Sequence, residues 1–250
     1  MRIAVAGGTG VVGRYAVEAA QNAGHDVVVL ARSRGVDVVT GVGLDAALDG
    51  VDAVIDASNS GTTLSAKKAT AFFETATRNL LEAGRRQGVG HHVALSIVGI
   101  DGIDASYYAG KLAQERAVAA GPVPFTIARA GQFHEFAGQL LSGMTGPFAV
   151  VPKLLMRPVA AREVGAHLAR VAEGGPVERA QDLVGPRDEV LVDVARRQLA
   201  FEGRRQRVVQ VRLPGAYGRG LASGSLRGGP DAIHGTQTFD EWLRSVDHRQ

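Results

Sequence analysis

The sequence predicts an α/β fold built on a doubly wound, parallel sheet. In the first 132 residues, short β-like runs alternate with helix-like runs. Strands that alternate with helices pair in parallel through right-handed crossovers. The second β-like run, "DVVVLA" at 26–31, is apolar throughout, as expected of a strand that is covered on both faces.

Six strands and four helices are predicted in this first part of the chain. The predicted strands are 3–6, 26–31, 36–41, 52–57, 91–96 and 125–131, and the predicted helices are 11–23, 44–50, 63–88 and 105–120. Two of these helices end at Gly24 and Gly88, and glycine is common at helix C-termini.

After residue 132 the pattern is less regular. Helix-like segments stand at 133–144, 162–175 and 188–203, strand-like segments at 181–185 and 208–213, and a final turn surrounds Phe239 and Trp242. Residues 215–235 are rich in glycine and serine, which predicts a mobile loop.

Composition excludes several classes of protein. The chain has 250 residues, 45% of them hydrophobic and 21% charged, which is typical of a globular protein. It has no cysteine, so disulfides, thiolate catalysis and cysteine-bound metals are excluded. Aromatic residues are scarce at 5%, and the arginines are scattered apart from "RRQR" at 204–207, so we expect no nucleic-acid partner.

We also expect no membrane partner and a cytoplasmic protein. No apolar run approaches the roughly 20 residues that span a bilayer, and the first residues, "MRIAVAGG", do not resemble a signal peptide. No group of histidine, aspartate and glutamate has the spacing of metal ligands, so no metal is expected.

Four glycines stand in the seven residues 7–13, directly after the first predicted strand and before the first helix. In this context the pattern predicts a dinucleotide-binding loop of a Rossmann-type fold. Glycine lets the backbone approach a pyrophosphate, and the helix N-terminus offers free N–H groups to it. A tight turn without a nucleotide is the alternative. The predicted contacts are Gly7, Gly10, Val11, Val12 and Gly13.

The end of the second strand predicts which dinucleotide binds. An acidic residue there suits NAD, whereas an arginine suits the 2′-phosphate of NADP. The sequence "LARSRG" carries Arg32 and Ser33 at this place and no carboxylate, so we expect NADP(H) to be preferred over NAD(H). Arg14 and Arg34 are further phosphate contacts or solvated surface. Ala57 and Ser58 end the fourth strand and either contact the cofactor ribose or form a plain loop.

Tyr107 and Lys111 stand four residues apart on a predicted helix and so share one face. A lysine cation favours tyrosinate and would lower the pKa of the phenol, which could then exchange a proton with a carbonyl oxygen. Ser96 ends the preceding strand and could position that oxygen. We therefore predict Tyr107, Lys111 and Ser96 as catalytic residues, with Tyr108 as the weaker competitor of Tyr107.

Several segments resemble the short-chain dehydrogenase/reductase superfamily, in its atypical, NmrA-like NAD(P)H-binding branch. They are "GGTGVVGR", "LSIVGID", "YYAGKLAQE", "PFTIARAGQFHEF" and "RPVAAREVG", in family order. The resemblance implies Tyr107 as the proton donor, and Lys111 as its partner and as a contact of the nicotinamide ribose. It also implies residues 1–132 as an NAD(P)-binding core and 133–250 as a lobe that completes the core and covers the substrate site.

The resemblance and the residues together predict an NADPH-dependent oxidoreductase that reduces a small carbonyl, quinone-like or enone substrate. The alternative is a redox-sensing regulator that binds NADP(H) without turnover. A third option is nucleotide-sugar epimerase or dehydratase chemistry, for which the lobe after residue 132 is small. Relatives often carry two serines where this chain has Ser96 and Ile97, which leaves the role of Ser96 open.

Other polar residues have weaker expectations. His91 and His92 are expected at the solvated end of a strand, and His134 in a packing role. Asn79 either orders a water or supports packing beneath the fifth strand. A set of apolar residues either lines a pocket or forms the core of the lobe: Phe133, Phe136, Leu140, Leu141, Met144 and Phe148.

Overall fold

A computed structural model describes residues 1–61 and 64–249 of the chain. The strands are β1 (Arg2–Ala6), β2 (Asp26–Leu30), β3 (Ala53–Asp56), β4 (His91–Ile97), β5 (Phe125–Ala130), β6 (Phe148–Pro152), β7 (Leu155–Met156), β8 (Glu178–Arg179), β9 (Leu183–Val184), β10 (Glu189–Val190), β11 (Arg207–Val211) and β12 (Ile233–His234). The helices are α1 (Gly13–Asn22), α2 (Leu44–Ala47), α3 (Ala66–Gln87), α4 (Ser106–Ala119), α5 (Glu135–Ser142), α6 (Ala161–Glu173), α7 (Leu191–Phe201), α8 (Gly215–Ser223) and α9 (Phe239–Arg244). The predicted start of the long helix at residue 63 lies outside the described residues.

The main sheet has the strand order β12-β9-β5-β4-β3-β1-β2, and β8 also pairs with β5. β1 pairs in parallel with β2 and β3, and β3 pairs in parallel with β4. The predicted α/β fold with a parallel sheet is confirmed. Because these four strands are parallel, their carboxyl ends lie at the same edge of the sheet, and the loops that follow them meet there.

The chain divides into two compact units. Unit 1 consists of residues 1–96, 105–129 and 162–181, and unit 2 consists of residues 97–104, 130–161 and 182–250. That residues 133–250 cover a substrate site stays a prediction.

Small residues let the helices of unit 1 pack closely. A Cβ atom on Gly110 of α4 would lie 2.8 Å from Ala69 and Phe73 of α3. α6 packs on α1 in the same way, since a Cβ atom on Gly165 would lie 2.6 Å from Tyr15 and Ala16. Overlap of this kind shows that each pair of helices approaches too closely for a side chain at the glycine.

The predicted strand at 36–41 is wrong. These residues form a turn in which the Asp37 carboxylate accepts a hydrogen bond from the Val39 N–H at 2.8 Å. Asn79 on α3 stabilises this turn, because its Nδ2 donates to the carbonyl oxygens of Val38 and Val39 at 3.0 and 2.8 Å. Without this strand β2 is the last strand of the sheet and is only partly buried, so the expectation that it is covered on both faces is also wrong.

Residues 215–235 are not a continuous loop as predicted. They contain α8, a short 3₁₀ helix at 225–227, and β12. Some glycines of this segment allow close packing: a Cβ atom on Gly218 would lie 1.8 Å from the carbonyl oxygen of Leu213. Composition alone does not distinguish glycine that permits close approach from glycine that loosens a loop.

His91 and His92 are buried, which overturns their expected place at a solvated strand end; they are 3% and 1% exposed. The His91 ring forms a hydrogen bond of 2.8 Å between Nε2 and Oγ1 of Thr126 on β5. Burial lowers the pKa of both histidines. β4 therefore begins in the interior of unit 1, where His91 and His92 are buried and neutral.

Unit 2 holds most of the less regular second half of the chain. β6 and β11 pair in parallel, and β7 and β10 pair in antiparallel; of these strands only β11 is predicted from the sequence. His134 packs against Phe239 and Trp242, with ring centroids 5.7 Å away in both cases, in agreement with its predicted packing role. Among the described residues, no helix is both long enough and apolar enough to cross a bilayer.

Candidate functional site

The loop between β1 and α1 can be built only from glycine at its ends. Gly7 has a φ of +73°, and a Cβ atom on Gly13 would lie 2.0 Å from the carbonyl oxygen of Gly7. The Gly10 N–H donates to that same oxygen at 2.8 Å, which closes the turn. The backbone therefore folds back on itself directly before the helix begins.

The first turn of α1 is open to an anion. No side chain caps it within the described part of the chain, and its first turn carries no acidic residue. Val12 stands at the N-cap position and Val11 just before it. Uncapped N–H groups and the helix dipole together favour negative charge at this point.

A second loop touches the glycine loop from β3. A Cβ atom on Gly7 would lie 2.6 Å from the carbonyl oxygen of Ala57, so the two backbones are in direct contact. The Ser58 N–H donates to Oδ1 of Asp56 at 3.0 Å. The Ser58 hydroxyl is buried and has no hydrogen-bond partner among the described residues.

Arg32 and Ser33 lie in a short 3₁₀ turn directly after β2, on the same sheet edge as the glycine loop. Both side chains are exposed, and no ion pair involves Arg32 or Arg34 in the described residues. Arg14 differs from them, because its guanidinium donates to the Tyr15 hydroxyl at 3.1 Å and lies 4.7 Å above the Tyr15 ring. Arg32 and Arg34 are thus both available at this edge to a negatively charged group.

Tyr107 lies in the first turn of α4. Its hydroxyl donates to Oδ1 of Asn59 at 3.1 Å, and its ring packs edge-on against Phe73 at 5.6 Å. Burial, together with the negative charge of Asp56, raises the pKa of Tyr107 above its usual value. The expectation that Lys111 lowers this pKa is wrong for the chain in this structure.

Lys111 is turned into the interior and is 4% exposed. Its Nζ donates to the carbonyl oxygen of Leu95 at 2.5 Å and to Oε1 of Gln114, and it lies 4.5 Å from the centre of the Phe73 ring. Burial lowers the pKa of Lys111 to about 8, and the charges of Asp56 and Glu115 oppose that effect.

The side chain of Gln114 continues this network, since its Nε2 donates to Oδ2 of Asp56 at 2.8 Å. Sequence reasoning missed Asp56 and Gln114. A signal for Asp56 exists, because it is a lone carboxylate at the end of the otherwise apolar "AVID" strand. Gln114 stands three residues after Lys111, which is helical contact spacing, but many pairs share that spacing.

Ser96 lies on β4 next to Leu95, whose carbonyl oxygen binds Lys111. It is 2% exposed, and its hydroxyl has no hydrogen-bond partner in the part of the chain that the structure describes. The structure thus brings Ser96 and Lys111 to the same strand end, whereas it joins the Tyr107 hydroxyl to Asn59 instead. Residues 1–61 and 64–249 contain no cluster of three potential metal ligands.

Comparison with protein families identifies the first half of the chain. Residues 3–122 match the model of the NAD dependent epimerase/dehydratase family. Over these residues the chain is similar to that family, which agrees with the resemblance to the short-chain dehydrogenase/reductase superfamily. The superfamily resemblance is therefore confirmed, and the NmrA-like branch stays a prediction. No curated protein gives a significant sequence match.

Solved structures match almost the whole chain at low sequence identity. The NADPH-dependent quinone oxidoreductase of Escherichia coli, complexed with NADPH, has a TM-score of 0.71 and 19% identity, over 97% of this chain and 98% of that chain. The triphenylmethane reductase of Citrobacter sp., complexed with NADP(H), has a TM-score of 0.70 and 19% identity, over 98% and 99%. The UDP-N-acetylglucosamine 4-epimerase of Bacillus cereus has a TM-score of 0.67 and 18% identity, over 100% and 98%. These matches establish the likeness of fold.

Proposed function

We propose that the chain is an NADPH-dependent oxidoreductase that reduces a small carbonyl, quinone-like or enone substrate. The observation that carries this proposal is the glycine loop, in which Gly13 leaves no room for a Cβ atom beside Gly7 at the start of an uncapped helix. The names of two structural neighbours, an NADPH-dependent quinone oxidoreductase and a triphenylmethane reductase with NADP(H), support the same class of activity.

The residues at the sheet edge fit a dinucleotide phosphate. Gly10, Val11 and Val12 would hold the pyrophosphate through backbone N–H groups. Arg32, with Ser33 beside it, would bind the 2′-phosphate, because a guanidinium pairs well with phosphate and no carboxylate stands there to bind a free ribose hydroxyl.

Three further residues would contact the rest of the cofactor. Ala57 and Ser58 would lie against a ribose, which would give the unpaired Ser58 hydroxyl a partner. Lys111 is the contact that we assign to the nicotinamide ribose. An ammonium has three N–H donors, and Leu95 and Gln114 take two of them, so one remains for this contact.

The residues around Tyr107 suit proton donation. Bound NADPH supplies the hydride for the reduction. Tyr107 donates its phenolic proton to the substrate oxygen, and its raised pKa keeps that proton in place at neutral pH. The unpaired Ser96 hydroxyl orients the substrate oxygen. The hydrogen bond from Tyr107 to Asn59 must open before the proton can be transferred.

Oxidation of NADPH by a panel of quinones, aldehydes and enones tests this function. We expect loss of the nicotinamide absorbance with at least one of these classes, and tighter binding of NADPH than of NADH. Binding of NADPH without oxidation by any member of the panel would instead support the redox-sensing regulator. Conversion of a sugar nucleotide by the same preparation would support an epimerase.

A further inference from the structure

One buried carboxylate links two separate parts of the proposed cofactor site. Asp56 ends β3 and is fully buried. Its Oδ1 accepts the N–H of Ser58, and its Oδ2 accepts the side-chain amide of Gln114. The same carboxylate therefore stabilises the loop after β3 and is linked to Lys111 through the side chain of Gln114 on α4.

The Gln114 amide lies between the Asp56 carboxylate and the Lys111 ammonium, and the hydrogen-bonding capacity of these two groups determines its orientation. A carboxylate can only accept hydrogen bonds, and an ammonium can only donate them. Gln114 must then present its nitrogen to Asp56 and its oxygen to Lys111, as observed. A flipped amide would face its oxygen toward the carboxylate and its N–H groups toward the cation. The observed amide orientation is the one that a pair of opposite charges on Asp56 and Lys111 requires.

We propose that Asp56 is a positioning residue that holds Lys111 in its protonated form through Gln114 and ties it to the loop of Ala57 and Ser58. The proposal rests on the proposed function, in which Lys111 contacts the nicotinamide ribose. Asp56 itself would touch neither cofactor nor substrate in this role.

The other carboxylate that acts on Lys111, that of Glu115, is paired with an arginine. Glu115, also on α4, is held by Arg129 of β5 through two hydrogen bonds of 2.7 and 2.6 Å, so its charge is compensated locally. The Leu95 carbonyl and the Phe73 ring are neutral. No cation contacts Asp56 directly among the residues that the structure describes, which leaves its charge available to Lys111.

Two titratable groups face this network from neighbouring positions. His92 on β4 lies near Asp56, and burial keeps its pKa below the usual value, so it is neutral at physiological pH. Tyr107 is a neutral phenol for the reason given above. Neither group carries a charge that would replace that of Asp56.

The small number of lysines makes a direct test practicable. The chain contains only Lys67, Lys68, Lys111 and Lys153. After labelling of the lysine ε-carbons with ¹³C, NMR would give four ε-CH₂ signals, and Lys111→Met would identify the one that belongs to Lys111. Titration of this signal in the cofactor-free protein measures the pKa of Lys111 without any dependence on NADPH binding or turnover.

Asp56→Asn removes the charge and keeps the shape of the side chain. We expect it to lower the titration midpoint of Lys111 by about one pH unit or more, because a nearby opposite charge commonly shifts a pKa by that amount. Asp52→Asn is the matched control. Asp52 stands just before the other end of β3 and accepts a hydrogen bond from the Arg2 N–H in an exposed position, so this variant should leave the midpoint unchanged.

Gln114→Met provides a second variant, since it keeps the length of the side chain and the charge of Asp56 but breaks the link. We expect Gln114→Met to lower the titration midpoint of Lys111 by less than Asp56→Asn does. Midpoints that are unchanged from wild type in folded Asp56→Asn and Gln114→Met would overturn the proposal. If the wild-type protein did not bind NADPH, that result would count against the proposed function but not against the link between Asp56 and Lys111.

Discussion

Arg32 and Tyr107 are the two side chains on which the proposed chemistry depends most. Arg32 is exposed at the edge where the loops after β1 and β3 also lie, and it has no ion-pair partner among the described residues. Tyr107 combines a raised pKa with a hydroxyl that donates to a neutral amide. The first residue would select the cofactor, and the second would transfer the proton.

Arg32→Ala should reduce the preference for NADPH over NADH. The wild-type protein should bind NADPH at least about tenfold more tightly, because one charged contact is worth that ratio. Isothermal calorimetry with both cofactors measures the preference, and Arg85→Ala, at an exposed arginine near the end of α3, is the control. Equal affinities in the unmutated protein would contradict the assignment of Arg32.

Tyr107→Phe should lower turnover by about 10²–10⁴-fold, the usual contribution of general acid catalysis. The affinity for NADPH should change by less than about threefold, because the hydroxyl acts on substrate and not on the cofactor. Steady-state oxidation of NADPH and a fluorescence titration measure the two quantities. Tyr108→Phe on the same helix should have a mild effect, and unchanged turnover in Tyr107→Phe would remove the proposed mechanism.

Sequence reasoning selected Tyr107 and Lys111 from their spacing but placed the lysine charge incorrectly. Spacing along a helix establishes which residues share a face, but it does not establish what other elements bring to that face. Asp56 comes from β3, Leu95 from β4 and Phe73 from α3, and these contacts determine where the Lys111 ammonium points. Long-range contacts of this kind leave little trace in a single sequence.

Among the structural elements, the β1–α1 connection was predicted most completely. Its strand, its glycines and its helix are adjacent in the sequence, and local steric requirements explain why glycine stands in the loop. The turn at 36–41 and helix α8 were missed because contacts with other segments decide them: Asn79 fastens the turn, and Gly218 packs on Leu213. An alternating apolar pattern or a glycine-rich composition fits more than one outcome.

Gly13→Ala tests the β1–α1 connection. Its Cβ atom would collide with the Gly7 carbonyl oxygen, so we expect a loss of about 1–3 kcal/mol in the free energy of unfolding, as for other overpacked sites, together with loss of NADPH binding. Urea denaturation and calorimetry measure the two effects.

Gly90→Ala is the matched control for that variant, because its Cβ atom would meet only the Asp52 carbonyl oxygen at an ordinary 3.7 Å. It should be close to wild type in both measurements. If Gly13→Ala bound NADPH as well as Gly90→Ala does, the glycine loop would not be the pyrophosphate site.

For the whole molecule, buried histidines predict how stability depends on pH. Burial lowers the pKa of His91, His92 and His167 in the folded state. The unfolded chain then binds more protons at and below about pH 6.5, so the free energy of unfolding falls as the pH drops through that value. The penalty from these histidines is therefore absent only above about pH 6.5, where the free energy of unfolding is highest.

Urea denaturation at about pH 7 and about pH 5 measures this dependence. His92→Leu removes a buried imidazole whose Nε2 has no partner in the described residues, and it should make the fall in stability smaller. His234→Gln, at an exposed histidine, should leave the dependence as in the wild type. A wild-type protein equally stable at both pH values would contradict the assignment of neutral, buried histidines.

The central claim is that the edge formed by the glycine loop, Arg32 and Lys111 binds NADPH. A crystal structure of the chain with NADPH tests it most directly. We expect the pyrophosphate at the N–H groups of Val11 and Val12, the 2′-phosphate at Arg32, and the nicotinamide ribose at Lys111. NADPH bound elsewhere, or crystals that remain free of NADPH at saturating concentration, would contradict the account.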